Sequence, residues 1–288
     1  MSKSITLQGL EGIKRFVIVV GCQRSGTTLL GQVIGAQSGC VLIDEFEGLY
    51  PWFHAVADQS PDAQLLTTKV IAQARDKYSD DAGRFVAGGA ALDGSVETLV
   101  LKAPNLTFEA AKIANLGLPV HVIYPVRDPR AVVASMLRLK NINFVENQRR
   151  FLKGHPEVSA RYQAAFDVID DEDAPLWERA AKVWMIKSDL AQMFVDQGLQ
   201  VLQFTYEDFV AAAFEWTDKI RRFCDLNDAG TACAHEGIYK GQGPGGTDRQ
   251  RPVDATSLGH WQQDLDAELA LGILTAAQPV AARFGYDG

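Results

Sequence analysis

Short apolar runs alternate with helical patterns along the chain. Residues 15–21 are rich in β-branched side chains and end at a glycine, which is typical of a fully buried strand. Apolar residues then recur at helical spacing over residues 27–36. Further strands are predicted at residues 98–101, 119–124 and 199–204, each followed by a helical pattern. Strands that alternate with helices pair in parallel, so the pattern predicts a three-layer α/β/α fold with a central parallel sheet.

Two stretches interrupt this alternation. Residues 46–91 have a mostly helical pattern, and residues 141–175 are charged and rich in Phe. Insertions between βα units commonly build the substrate side of a site, whereas the alternative is that they only cover the sheet. The sequence leaves both open. The chain shows no internal repeat and no low-complexity linker, so a single domain over residues 1–288 is predicted.

A glycine-bounded turn follows the first predicted strand. Residues 21–28 read Gly-Cys-Gln-Arg-Ser-Gly-Thr-Thr, with the glycine spacing of a nucleotide phosphate loop (P-loop), which directs backbone N–H groups at an anion. A Walker motif has Lys after its second glycine, and here Thr27 stands there. A kinase is therefore disfavoured, and a donor without a γ-phosphate fits better. The alternative is a turn that only lets strand and helix pack.

Composition and charge narrow the class of protein. Hydrophobic residues make up 47% and charged residues 22%, which is a globular composition. The net charge of -8 argues against a nucleic-acid partner, although a local group of Arg side chains can still bind phosphates. The four cysteines lack metal-ligand spacing, so buried or free thiols in a reducing compartment are expected. The chain has no stretch typical of a signal peptide or membrane span, and a cytoplasmic location is expected.

Residues 23–30, Gln-Arg-Ser-Gly-Thr-Thr-Leu-Leu, resemble the 5′-phosphosulfate loop of sulfotransferases. The form is that of the tyrosylprotein sulfotransferases and their bacterial relatives, and further matching elements extend to Trp261. The resemblance implies a P-loop-like fold and transfer of a sulfuryl group from 3′-phosphoadenosine 5′-phosphosulfate (PAPS) to a hydroxyl or phenol, by direct in-line displacement without a metal. It also implies that the 5′-phosphosulfate is held by the loop residues Arg24, Ser25, Gly26, Thr27 and Thr28.

The same resemblance assigns the rest of the donor site. In the segment Val-Arg-Asp-Pro-Arg-Ala-Val-Val-Ala-Ser, Arg127 at the end of a predicted strand and Ser135 on the next helix are expected to hold the 3′-phosphate. The alternative is an Arg at the sheet edge and a Ser packed on a helix. Tyr206, in a Tyr-Glu-Asp segment, is expected beside adenine. Arg249 and Arg251 belong to a glycine-dense loop that would close over the 3′-phosphate, unless it is a plain surface loop.

The catalytic roles also follow from the resemblance. Glu45, after the short apolar run 41–43, matches the base that takes the acceptor proton. Asp44 and His54 are left open as alternatives, and the acidic pair could instead start a helix with Asp44 as N-cap. Lys102, with Arg24, would stabilise charge on the transferring group and the leaving oxygen.

The acceptor is not specified by these motifs. A small molecule, sugar, lipid or secondary metabolite is expected, with no nucleic acid as partner. Two rival functions are a P-loop kinase-like phosphotransferase and a non-catalytic nucleotide-binding module.

Overall fold

Five parallel strands form the sheet at the centre of the computed structural model, which describes residues 9–46, 48–77, 83–86, 91–139, 142–227 and 253–287. The strand order is β2-β3-β1-β4-β5. Four of the strands are almost wholly buried, because helices flank a parallel sheet, and they are therefore nearly continuous apolar runs. The strands are β1 (Arg15–Val19), β2 (Cys40–Ile43), β3 (Thr98–Lys102), β4 (Val120–Val126) and β5 (Gln200–Thr205).

Helices follow or connect these strands. The bounds of those in the described residues are α1 Thr27–Gly35, α2 Leu49–Ala57, α3 Ala63–Lys77, α4 Ala110–Ala114, α5 Pro129–Arg138, α6 Phe144–Gly154, α7 Pro156–Arg161, α8 Gln163–Asp170, α9 Leu176–Asp189, α10 Ala191–Asp196, α11 Tyr206–Ala211, α12 Ala213–Phe223, α13 Trp261–Asp264, α14 Ala267–Ala276 and α15 Val280–Arg283. Within this part of the chain, none of them combines the length and apolar character that crossing a membrane requires.

The prediction of an α/β fold with a central parallel sheet is confirmed. Each predicted strand overlaps an observed one, and the ends differ by one or two residues. The two interrupting stretches contain α2 and α3 in the first and α6, α7 and α8 in the second. Arg127 was predicted to end a strand, which was wrong by one residue, because β4 ends at Val126 and Arg127 follows it.

The strand order determines where the site lies. Strand β1 lies between β3 and β4, and Val19 at its end is in register with Lys102 of β3 and Ile123 of β4. Ligands of open α/β sheets bind beyond the carboxyl ends of the strands, where the connections diverge to the two sides. The loop after β1 therefore meets the residues that end β3 and follow β4.

Candidate active site

The loop between β1 and α1 adopts backbone conformations that are rare outside glycine. Gly21 has φ 122°, Gly26 has φ 85° and Arg24 has φ 71°. A left-handed conformation costs about 1–2 kcal/mol for a residue with a side chain, so Arg24 carries strain. The first turn of α1 has N–H groups without intrahelical partners and no acidic side chain. Together with the helix dipole, these groups suit an anion.

Gly26 is packed directly beneath an aromatic ring. A Cβ atom built on Gly26 would lie 2.3 Å from Cδ2 of Tyr206, the first residue of α11. The guanidinium carbon of Arg127 lies 4.7 Å from the centre of the same ring. Tyr206 thus joins the glycine turn to Arg127, and position 26 requires glycine for both its φ and its lack of a side chain.

Gly26→Ala is expected to destabilise the protein more than an alanine at a comparable but open position. The left-handed φ alone costs about 1–2 kcal/mol. Displacement of the Tyr206 ring adds about 1–3 kcal/mol of overpacking. Gly198 is the matched control, since its φ is 76° and nothing lies within 4 Å of a Cβ built there. Urea unfolding of both variants measures the difference, and equal losses would contradict the packing argument.

Positive charge is concentrated on one side of the loop. Arg24 Nε donates to Ser135 Oγ at 2.9 Å, and Arg127 donates to the Arg24 carbonyl at 3.3 Å and to the Ser257 carbonyl at 2.9 Å. Arg127 Nε is buried and has no hydrogen-bond partner among the described residues. Burial lowers the pKa of Arg24, and the charges of Arg127 and Arg138 lower it further. Such an arrangement suits a polyvalent anion.

A buried lysine and two carboxylates lie on the other side of the loop. Lys102 Nζ is 3.0 Å from Asp44 Oδ1 and 3.6 Å from Glu45 Oε2. The lysine stem packs on α1, where a Cβ at Gly31 would lie 2.9 Å from Lys102 Cβ. Lys102 and Asp44 are buried, whereas 32% of the Glu45 side chain is exposed. Glu45 is therefore the carboxylate of this pair that a substrate can reach.

Asp44 does not begin a helix. Helix α2 starts at Leu49 after Gly48, five residues along the chain, and Asp44 Oδ1 instead accepts the Glu45 backbone N–H at 2.8 Å. The interpretation of Asp44 as an N-cap was therefore wrong, because its carboxylate is used to hold Lys102. His54 lies in α2 with its Nε2 3.5 Å from Glu109 Oε1, and it is not among the pocket-lining residues.

A pocket of about 320 Å³ joins these groups. Arg24, Thr27, Thr28, Glu45 and Lys102 line one part of it, together with amide side chains. The apolar part of the lining comes largely from α6 and the residues before it. Its members are Pro104, Leu139, Ile142, Phe144 and Phe151. The second interrupting stretch thus contributes to the pocket and does not only cover the sheet.

The structure brings most of the sequence-predicted residues together. Arg127, Ser135 and Tyr206 adjoin the pocket through Arg24 and Gly26. Ser25 is buried in the loop, and its Oγ has no hydrogen-bond partner within the described part of the chain. Two further predicted residues lie outside the described residues, namely Arg249 and Arg251.

Several groups at the site escaped the sequence analysis. Tyr50 donates its hydroxyl to Glu45 Oε1 at 2.6 Å. Lys187, buried in α9, donates to three amide side chains of the pocket. The one available signal was a lysine within the apolar run Val-Trp-Met-Ile-Lys. In the described ranges, no group of three or more His, Cys, Asp or Glu side chains could hold a metal ion.

The chain matches the family model described as "Sulfotransferase family" over residues 17–229. The chain belongs to the sulfotransferase family. The resemblance seen in its sequence motifs is thereby confirmed at the level of the family.

Two solved sulfotransferase structures resemble the protein over nearly their whole length. The sulfotransferase domain from the curacin biosynthetic pathway is 16% identical with a TM-score of 0.57, covering 94% of this chain and 97% of that one. The sulfotransferase domain from the Synechococcus PCC 7002 olefin synthase is 15% identical with a TM-score of 0.56, covering 96% of each chain. At these identities the likeness shows the fold. No curated protein matches the chain.

Proposed function

We propose that this sulfotransferase uses PAPS as donor and a hydroxyl or phenol as acceptor. One observation carries the choice of donor. Arg127 has a buried Nε without a partner in the described structure, and it lies beside Arg24, which bonds Ser135. A 3′-phosphate is a dianion that would pair with this charge and with the unused donor. A nucleotide without that phosphate would leave both unsatisfied.

The loop and the helix N-terminus would hold the other end of the donor. Backbone N–H groups from residues 24–28 would bind the 5′-phosphosulfate, with the Thr27 and Thr28 side chains beside it in the pocket. Tyr206 is proposed to adjoin the adenine, which is supported by its contacts with both Gly26 and Arg127. Arg249 and Arg251 are proposed to cover the 3′-phosphate.

Glu45 and Lys102 are proposed to promote the transfer. Bound PAPS supplies a sulfuryl group bonded to a phosphate oxygen that can leave. Glu45 would take the proton of the acceptor hydroxyl as its oxygen bonds to sulfur. Lys102 Nζ, 3.6 Å from Glu45, would offset the charge on the sulfuryl oxygens and on the departing phosphate. The bond between sulfur and the phosphate oxygen breaks, and adenosine 3′,5′-bisphosphate leaves.

The pocket favours a small acceptor with an apolar body. Its volume of about 320 Å³ lies at the lower end of the range for small-molecule sites. Phe144 and Phe151 add apolar surface to the pocket that Glu45 lines, while Asn147 and Gln148 provide uncharged polar contacts. We therefore propose an alcohol or phenol borne by a lipid, a secondary metabolite or a lightly substituted sugar.

Two measurements test the proposed function. Thermal-shift titration with adenosine 3′,5′-bisphosphate and with ATP–magnesium separates a sulfotransferase from a kinase, because the loop lacks the Walker lysine. Incubation of the protein with radiolabelled PAPS and a panel of alcohols and phenols separates an enzyme from a binding module. Stronger stabilisation by ATP–magnesium, or absence of label in any acceptor, would refute the proposal.

Arg127→Ala is expected to remove the preference for a 3′-phosphate. Loss of a charge-assisted hydrogen bond costs about 1.5–3 kcal/mol of binding, which is about 10- to 150-fold in Kd. Calorimetry with adenosine 3′,5′-bisphosphate should show this loss. Adenosine 5′-phosphosulfate, which lacks the 3′-phosphate, should bind the variant and the wild type nearly equally.

The control for this prediction is Arg150→Ala. Arg150 pairs with Glu146 on α6 and is 73% exposed, so its loss removes an equal charge without touching the donor site. A variant of Arg127 that still prefers the 3′-phosphate would show that another group binds it.

A further inference from the structure

Lys187 is a buried cation whose hydrogen-bond partners are all neutral amides of the pocket. Its Nζ donates to Gln23 Oε1 at 2.8 Å, Asn105 Oδ1 at 2.9 Å and Gln148 Oε1 at 3.1 Å. These bonds use all three hydrogens of the ammonium. Charging a lysine in such a place costs free energy unless the partners are well placed. All three amides also line the pocket that holds Glu45.

The ammonium sets the direction of the hydrogen bonds around it. An ammonium has donors only, so each amide must turn its oxygen toward Lys187 and its NH₂ group away. Burial and Glu45 raise the pKa of Tyr50, whereas hydrogen bonding from the Asn105 backbone and side chain acts to lower it, as a donor facing the phenol oxygen would. With the Asn105 oxygen held by Lys187, its side chain can act on Tyr50 only as a donor. Tyr50 must then use its own proton for Glu45 Oε1, 2.6 Å away.

The charges in this region favour a series of hydrogen bonds donated in one direction, from Lys187 through Asn105 and Tyr50 to Glu45. Burial lowers the pKa of Lys187 to about 8, while the Cys22 thiol and the Glu45 carboxylate act to raise it. Burial, followed by the negative charge of Glu45, raises the pKa of Tyr50, so the phenol keeps its proton. The Tyr124 hydroxyl donates to the Lys187 backbone carbonyl.

We propose that Lys187 is a positioning residue for sulfuryl transfer, acting on Glu45 through Asn105 and Tyr50. The inference rests on the proposed function, in which Glu45 is the base. This series of hydrogen bonds holds Glu45 Oε1 with the Tyr50 proton. The other carboxylate oxygen, Oε2, faces Lys102 and the pocket. Glu45 is partly exposed, and its carboxylate is bonded by Tyr50 at Oε1 and faced by Lys102 at Oε2, so loss of the Tyr50 bond would remove one of these two anchors.

The test compares Lys187→Met and Tyr50→Phe. Methionine keeps the length of the lysine side chain but has no donor, and phenylalanine removes only the hydroxyl that bonds Glu45. Either change is expected to lower kcat about tenfold to a hundredfold, because a base misplaced by about 1 Å loses that much rate. The KM for PAPS and the Kd for adenosine 3′,5′-bisphosphate should stay within about twofold, since neither residue belongs to the donor site.

Two further readouts separate positioning from a merely structural role. If Lys187 and Tyr50 act through the same series of hydrogen bonds, the double variant should be no slower than the slower single variant. Independent effects on kcat would instead multiply. Wild-type kcat should fall as the pH rises through about 8, where Lys187 loses its proton, and this fall should be absent in Lys187→Met. Lys182→Met is the control, because Lys182 lies on the same helix and donates to the Ala276 carbonyl.

The outcomes are distinct. Unchanged kcat in Lys187→Met, or losses that multiply in the double variant, would overturn the inference and leave the proposed function intact. If Lys187→Met does not fold, Tyr50→Phe decides alone, with unchanged kcat against the inference and lower kcat without the alkaline fall in its favour. A wild-type protein that binds adenosine 3′,5′-bisphosphate but transfers no label would overturn the proposed function, and this inference with it.

Discussion

Glu45→Gln is expected to lower turnover about a hundred- to ten-thousandfold, which is the usual loss when a general base is removed. Glutamine keeps the shape of the side chain and can still accept the Tyr50 hydrogen bond, but it cannot take a proton. The measurement is kcat with radiolabelled PAPS and an aliphatic alcohol. A phenol ionises with little help and would hide the loss.

Donor binding should hardly change in this variant, because Glu45 lies on the Lys102 side of the loop and not beside Arg127. Glu97→Gln is the matched control, since Glu97 pairs with Lys14 just before β3 begins, at the opposite end of the sheet. His54→Ala should have a mild effect. Near-wild-type turnover by Glu45→Gln, with His54→Ala inactive but able to bind donor, would assign the base to His54.

The fold could be predicted from the sequence because parallel strands covered on both faces have a simple pattern. The run Phe-Val-Ile-Val-Val has no polar position, so it can only be buried on both sides, and β1 follows it closely. The same logic located β3 and β4. Strand β5 is more exposed and polar, yet the apolar and β-branched residues over 199–204 still indicated it.

The phosphate loop could also be predicted from the sequence, because its conformation depends on residues that are close together in the chain. Gly21 and Gly26 have positive φ angles that a five-residue spacing of glycines already suggests. The direction of the Arg24 side chain could not be predicted in this way. The sequence analysis predicted a role for Arg24 at the leaving oxygen, which stays a prediction, but it did not predict the bond from Arg24 Nε to Ser135, 111 positions away.

The polar network beneath the pocket could not be found from local patterns. Lys187 meets Gln23 across 164 positions and Asn105 across 82. Gln23 and Asn105 look ordinary in their own segments, and the apolar run around Lys187 did not indicate which residues it would meet. The ion pair of Asp44 and Lys102 was missed for the same reason, although each residue had been considered separately.

Lys102→Met is expected to reduce both stability and turnover. Removing one partner of a buried ion pair costs about 3–5 kcal/mol, because Asp44 is left as an uncompensated buried charge. Loss of a charge that stabilises the transition state costs about a hundred- to a thousandfold in rate. Urea unfolding measures the first effect, and kcat for the folded fraction measures the second.

A second change separates these two effects. In Lys102→Met/Asp44→Leu the unpaired carboxylate is gone, and replacing a buried ion pair by apolar side chains is often neutral or stabilising. The double variant should therefore regain most of the lost stability. Turnover should stay low, because neither new side chain can offset charge on the sulfuryl group. If turnover returned together with stability, Lys102 would be a structural residue, and the stabilisation of the leaving oxygen would have to come from Arg24 and the loop alone.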